Sequence, residues 1–218
     1  TTGQGDSGDT DVIFLTGVNQ KHSGVELETN YMVNDMLDLM FVASFGNWKF
    51  DGDANGNYQE TEYNSEGQAI GYTTTEYAYA LDGLYVGDMP QTSYVLGVTL
   101  KPIKDLRIQA IHKMYDKNYS DWSPSAREFD GTNDDADRAQ VWEAPSYNRL
   151  DLHMSYKLPK VKDLDMMLTA NIFNVLDEVY VQDAVDNSQY NGYGSKQHLP
   201  HNAEVFLGTP RYANIGLS

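Results

Sequence analysis

The chain has 218 residues, 40% of them hydrophobic, with fifteen Lys plus Arg against thirty-two Asp plus Glu and no cysteine. A net charge of -17 argues against binding nucleic acid phosphate, and the lack of cysteine excludes a disulfide framework, a thiolate metal site and cysteine catalysis. The length suffices for one large or two small domains, and no apolar run reaches the roughly 18 residues of a membrane-crossing helix, although a barrel strand needs only about ten alternating residues.

Eighteen Gly, sixteen Tyr and scarce helical periodicity predict an all-β protein. After a polar start from Thr1 to Thr10, a first strand is expected over about 14 to 33, ending in a tight turn at Val33-Asn34-Asp35. The second covers about 36 to 50, where Leu37, Leu39, Phe41, Ala43 and Phe45 alternate with Asp38 and Ser44. Residues 51 to 89 are expected to form a long loop, and eight acids but no Lys or Arg lie between 51 and 88. Strands over about 90 to 101 and 106 to 117 follow, joined by the tight turn Lys101 to Asp105. In them Tyr94, Leu96, Val98 and Leu100 oppose Val95, Gly97 and Thr99, and Leu106, Ile108 and Ala110 oppose Arg107 and Gln109. A second long loop is expected over 118 to 146.

The clearest alternation comes next, in a strand over about 147 to 158. Leu150, Leu152, Met154 and Tyr156 face one way, and Arg149, Asp151, His153 and Ser155 the other. A turn at Leu158 to Asp163 leads into a strand over about 164 to 177, with Met166, Leu168, Ala170 and Ile172 opposite Thr169 and Asn171. A third long loop, 178 to 208, precedes a last strand over about 209 to 218.

Tight and long connections therefore alternate strictly, which in an up-and-down sheet gathers all turns at one end and all long loops at the other. Charge follows: two turns are bounded by Lys101, Lys104, Lys157, Lys160 and Lys162, whereas the loops are acidic. A secreted β-sandwich with one wet face makes the same strand alternation and stands as the alternative, binding carbohydrate or protein through its loops. A barrel hydrolase acting through its loops is a third reading. The lopsided connections favour a transmembrane barrel, with short periplasmic turns and long outer loops. Tyr31, Tyr115, Tyr156 and Tyr180, near strand ends, are expected in its interfacial girdle.

Five strings then resemble a known family, the TonB-dependent outer-membrane receptors, energised importers of bulky scarce nutrients. They are Gly87-Asp88-Met89-Pro90-Gln91-Thr92; Asn118-Tyr119-Ser120-Asp121-Trp122; Ala144-Pro145-Ser146-Tyr147 before Leu150-Asp151; Leu168-Thr169-Ala170-Asn171-Ile172-Phe173-Asn174-Val175-Leu176-Asp177; and Gly208-Thr209-Pro210-Arg211. The fourth is similar to the family's penultimate strand, N-x-F-N-x-L-D, and the fifth to the G-x-P-R opening its final strand. The resemblance implies that residues 1–218 are the C-terminal portion of a 22-strand antiparallel up-and-down barrel, here about seven strands, without plug or N-terminal strands. Seven strands leave two open edges, so further strands and a plug are the expected partners. Family barrels end on an aromatic residue whereas this chain stops at Ser218, so the true terminus is expected to lie beyond it. The resemblance further implies a bacterial outer-membrane location, contact with lipid, coupling to TonB through the plug, and import of a small ligand, glycan or peptide, without enzyme chemistry.

Candidate sites are few. Asp51, Asp53, Asn55, Asn57, Gln59 and Glu62, with Gly56 for the bend, fit the twelve-residue calcium-loop pattern, so a Ca2+ bound in loop 51–62 is one expectation and plain turn chemistry the other. The neighbouring Asn64-Ser65-Glu66-Gly67 reads as a hairpin turn. His198 and His201 flank Leu199-Pro200 and offer a two-imidazole metal site or simply solvated histidines. Trp122, Trp142, Tyr77, Tyr79, Tyr190 and Tyr193 are the candidate ligand contacts, since aromatic faces near acids stack on sugars, peptides or cationic chelates; loop packing is the alternative. No G-x-S-x-G, P-loop or dinucleotide fingerprint is present, and catalytic residues are expected to be none.

Overall fold

The computed structural model describes residues 2–4, 10–129, 138–160, 162–186 and 198–218. Among them the strands are β1 (Thr2–Gln4), β2 (Thr10–Thr16), β3 (Gln20–Asn34), β4 (Leu37–Phe50), β5 (Ala54–Tyr63), β6 (Ala69–Tyr79), β7 (Thr92–Leu100) and β8 (Leu106–Asp116). There follow β9 (Asn118–Tyr119), a single helical turn α1 (Pro124–Arg127), β10 (Glu128–Phe129), β11 (Glu143–Ala144), β12 (Tyr147–Lys157), β13 (Met167–Phe173), β14 (Val181–Val185), β15 (Glu204–Leu207) and β16 (Tyr212–Leu217). Seven of these build one antiparallel wall in the order β3-β4-β7-β8-β12-β13-β16. They are the seven expected strands, joined in up-and-down sequence, with tight turns at one end and long excursions at the other.

The register separates two faces. Leu27, Ala43, Tyr94 and Met114 are successive cross-strand partners, as are Leu39, Val98, Ala110, Leu152, Ile172 and Ala213. Residues of the same parity make this face mostly apolar, with Thr29, His112 and Asn148 as interruptions, and it is uncovered: Leu27 is 55% exposed, Leu96 50% and Ile215 79%. In a sandwich these side chains would be the packed interior, so the alternative of a self-contained sandwich is not the observed fold. On β4 the apolar positions run from Leu37 to Phe45, eight rises of about 3.3 Å, or roughly 26 Å, close to the apolar band of an outer-membrane barrel. The opposite face carries Glu26, Asp38, Gln109, Lys113, Arg149, Asp151, His153 and Asn171.

Three expectations need correction. The first strand is broken: Gly17 has φ 78°, Asn19 N–H turns back to the Gly17 carbonyl, and β2 and β3 are separate. The break faces a second one at 51–53, since Asp51 N–H donates to the Asn19 carbonyl at 2.9 Å. Beyond it the chain leaves the wall and forms a second sheet, β1-β2-β5-β6-β10. Residues 51 to 89 are therefore not one long loop, because β5 and β6 make a hairpin within them. Its turn is the anticipated Asn64 to Gly67, where Asn64 Oδ1 accepts from Glu66 N–H and Gln68 N–H at 3.0 and 2.9 Å and Gly67 takes φ 74°. Finally, Tyr31 and Tyr156 lie on the apolar face, but Tyr115 and Tyr180 do not. Tyr115 is one residue out of phase with Met114, on the polar side, and Tyr180 is buried.

The buried apolar cluster lies beyond the wall, under the long connections. Phe50, Ala54, Tyr79, Leu81, Leu84, Tyr119 and Val141 form it, with Tyr77, Tyr85, Val86 and Trp122 packed against it. The wall itself has few buried apolar side chains, as expected of a single layer of strands.

Candidate functional site: the outer mouth and the polar face

Two of the motifs meet in one staple at the loop end of β13. Asn174 and Asp177 take φ 50° and 55°, conformations that cost a non-glycine residue about 1 kcal/mol or more and persist where neighbours fix them. Asn174 is buried and uses its whole amide. Nδ2 donates to the Glu178 and Thr209 carbonyls at 2.9 and 3.1 Å, and Oδ1 accepts from Glu178 N–H at 3.0 Å. Its own N–H donates to Asp151 Oδ1 at 2.9 Å. Asp177 Oδ1 accepts from Arg211 N–H at 3.0 Å, and the Arg211 guanidinium lies 3.5 Å from Asp177 and 3.4 Å from the Val175 carbonyl. The residues leaving β13 and those entering β16 thus fix each other across a long connection.

On the polar face Asp151 is fully buried between Lys113 at 3.0 Å and Arg149 at 3.6 Å. Arg149 also donates to the Tyr180 hydroxyl at 3.1 Å, and Tyr180 stacks on Tyr147 at 4.3 Å, which in turn contacts Tyr115 at 5.0 Å. Nearer the mouth, His22 stacks on Trp48 at 5.5 Å beside the cross-strand pair Gly24 and Gly46. A Cβ on Gly24 would sit 2.6 Å from the Phe45 carbonyl, so only glycine fits this notch. Gln91, 1% exposed, holds Trp48 as a ladder residue would: Oε1 accepts from Trp48 N–H at 3.0 Å and Nε2 donates to its carbonyl at 2.9 Å. His22, Trp48 and the two glycines, with Glu26 and Ser44, line an open concavity of about 390 Å³.

The loops are tied by buried charge. Arg127 and Asp186 pair at 3.1 Å with both side chains fully buried, and His198 Nδ1 contacts both. Elsewhere Asp88, Asp121 and Asp183 converge. Burial, then the neighbouring Asp121 and Asp183, raise the Asp88 carboxyl to about 6, and burial also raises Asp121. Asp53 moves the other way: the Arg138 guanidinium, in two hydrogen bonds of 2.9 and 2.7 Å, holds it below the usual carboxylate range.

The residues singled out from the sequence are dispersed. Asp51 and Asp53 precede β5, while Asn55, Asn57, Gln59 and Glu62 lie along it, paired with β6. From Asn55 to Glu62 the strand alone covers about 23 Å, so the six are not gathered around one calcium ion. Asp53 instead serves Arg138 and the N–H groups of Leu81 and Asp82, and Glu62 accepts from the Thr73 hydroxyl. His198 is buried against Asp186 while His201 is exposed, so the imidazoles do not form the two-ligand site. Among the described residues no group of three or more His, Asp or Glu is placed to hold a metal ion.

Of the aromatic candidates, Tyr79 is 3% exposed and belongs to the packed cluster, where Trp122 meets it at 5.7 Å and Phe50 at 6.3 Å. Tyr77 packs against the same cluster, which leaves it partly exposed. Trp142 is half-buried, and its carbonyl accepts from Ser120 N–H and Oγ–H at 2.9 and 3.0 Å. Tyr190 and Tyr193 lie outside the described residues. The His22–Trp48 shelf and the Tyr115–Tyr147–Tyr180 stack were not anticipated. Strand parity at Tyr115 and Tyr147, and the two in-strand glycines at 24 and 46, were the available signals.

The wall's likeness to known proteins agrees with its geometry. It is similar to the siderophore receptor PiuA from Acinetobacter baumannii, with TM-score 0.53, 18% identity, 91% of this chain covered and 21% of that one. It is also similar to the ferric-catecholate import receptor Fiu from E. coli K12, with TM-score 0.39, 15% identity, 91% of this chain and 27% of that one. The chain therefore spans about a fifth to a quarter of the length of these receptors. No curated protein matches it. The family described as TonB dependent receptor-like, beta-barrel, matches residues 1–175, and the chain belongs to that family.

Proposed function

We propose that this chain is pore wall and outer loop set of an outer-membrane receptor that imports a bulky nutrient with energy relayed by TonB. One observation supports this above all. An uncovered apolar face backs directly onto a polar face, in a sheet whose outermost strands β3 and β16 each pair on one side only among the described residues. Hydrocarbon on one side, water on the other and further strands at both edges satisfy that arrangement together. In this reading the loops, held by the Arg127–Asp186 pair and the buried cluster, guard the entrance, and the His22–Trp48 shelf meets the incoming ligand. The plug and the coupling to TonB belong to the rest of the receptor.

The siderophore named for the Acinetobacter receptor is the first ligand class to try. Cells carrying the full receptor are supplied with labelled ferric siderophores, vitamins, glycans and peptides, with and without collapse of the inner-membrane proton gradient. Accumulation of one class that stops when the gradient is collapsed is the expected result. Accumulation of none, or accumulation indifferent to the gradient, overturns the proposal.

A further inference from the structure

A single register row crosses the polar face from β4 to β16: Asp38, Thr99, Gln109, His153, Asn171 and Asn214 are successive cross-strand partners. Its members bond to one another, Gln109 Nε2 to Thr99 Oγ1 at 3.1 Å, His153 Nδ1 with Asn171 Oδ1 at 2.8 Å, and Asn171 Nδ2 to Asn214 Oδ1 at 2.8 Å. Two residues closer to the tight turns, Arg107, Ser155 and Thr169 are partners in the same way. Between the rows lies a concavity of about 220 Å³ lined by Met154 and by six polar residues, Arg107, Gln109, His153, Ser155, Thr169 and Asn171.

None of these six is acidic, on a chain whose acids outnumber its Lys and Arg by seventeen. Three of the lysines at this end of the wall are engaged. Lys101 holds Asp38 at 2.5 Å, and Lys157 and Lys160 share Asp165 at 3.6 and 3.4 Å. Arg107 has no carboxylate within 4 Å among the described residues. A guanidinium presents two parallel N–H donors that match the two oxygens of a carboxylate, and its positive charge persists at any physiological pH.

We infer that this cup is an anion site for a carboxylate, gripped by the Arg107 fork with the Ser155 hydroxyl as a further donor. The inference rests on the proposed reading of this face as the lumen lining. The carboxylate comes either from a free solute in the lumen or from an Asp or Glu of polypeptide seated against the wall. The first would be exchangeable, and the second fixed.

Full-length receptor in detergent, otherwise free of reactive thiols, is titrated calorimetrically with acetate and citrate as wild type, Arg107→Gln and Arg107→Lys. In parallel Ser155→Cys is labelled with a charged thiol reagent in the Arg107 and Arg107→Gln backgrounds, after heat-shift electrophoresis confirms folding. A free-solute site gives saturable citrate binding weakened at least tenfold by Arg107→Gln and less by Arg107→Lys, and citrate slows labelling. A site filled by a protein carboxylate gives no added binding but slow labelling, accelerated at least fivefold by Arg107→Gln and only weakly by Arg107→Lys. No carboxylate binding together with equal labelling rates in both backgrounds overturns the inference. If the lumen reading itself is at fault, Ser155→Cys resists the charged reagent in both backgrounds but reacts with an uncharged, lipid-soluble one, which separates the two failures.

Discussion

Replacing Leu152 by Arg puts the two-faced wall to its severest local test. Leu152 is at the middle of β12, paired with Ala110 on one side and Ile172 on the other, in the apolar band. His153, one residue on, occupies the opposite face beside Gln109 and Asn171. An arginine on the lipid side at midplane costs about 2 to 4 kcal/mol, whereas one facing lumen water costs less than about 1 kcal/mol. Leu152→Arg should therefore lower the folding equilibrium by about 30- to 1000-fold, since each 1.4 kcal/mol is a factor of ten, and His153→Arg by no more than about fivefold. The assay is urea-dependent folding of the full receptor into phospholipid vesicles, read by heat-shift electrophoresis and tryptophan emission. Equal costs at the two sites, or a larger cost at residue 153, would refute the assignment of faces.

Other consequences follow from the loop end. Asn174→Ala removes three side-chain hydrogen bonds from a buried site and leaves alanine at φ 50°, so a loss of about 2 to 4 kcal/mol is expected, read as a lowered Tm and faster proteolysis near residue 178. Asp88 binds its proton more tightly when folded, at about 6 against 3.8, so the loop junction should weaken as pH rises from about 4 through 6 and be firmest below that window. Protease protection measured across pH 4.5 to 7.5 should show this slope, and Asp88→Asn should flatten it; a slope of opposite sign refutes the clustering of Asp88, Asp121 and Asp183. Asp53, held low by Arg138, contributes stability above its unfolded value that disappears as pH falls through the folded one, so Arg138→Ala should loosen residues 51–53 at neutral pH and matter progressively less as pH falls below the usual carboxylate range. Because the calcium-pattern residues are strung along β5, calcium and chelator should leave hairpin proteolysis unchanged; calcium-dependent protection would contradict the extended conformation.

The wall was legible because a single-layer membrane sheet writes its two environments into alternate residues, as Leu150 to Tyr156 demonstrate without a gap. β5 and β6 form without that signature: Glu60 to Tyr63 and Ala69 to Glu76 are exposed on both faces, so Asn57 to Glu62 read as a loop although Thr73 to Thr75 and Tyr77 favour extended backbone. The same stretch explains the misleading calcium pattern, since Asp, Asn and Gly at the right spacing specify ligands only if the backbone curls. Tyr115 is close to a strand end but out of phase with Ile108 and Ala110, so parity, and not nearness to the end, decides its face. The Arg127–Asp186 and Asp151–Lys113 pairs join residues 59 and 38 apart, and no local pattern announces a partner at that range. The Asn174 staple lay between the two cases. Its motif stood out, but its work, holding Glu178 and Thr209 together, appears only in three dimensions.

The claim on which all of this depends is that alternate residues of one strand touch hydrocarbon and water. This chain contains no cysteine, and in the full receptor freed of any other reactive thiol nitroxide labels can be placed singly at residues 152 through 156 in bilayers. Collision with oxygen, which concentrates in lipid, should peak at Leu152, Met154 and Tyr156, and collision with a water-soluble nickel chelate at His153 and Ser155. Accessibilities that rise and fall in phase, or that show no two-residue period, would contradict the account.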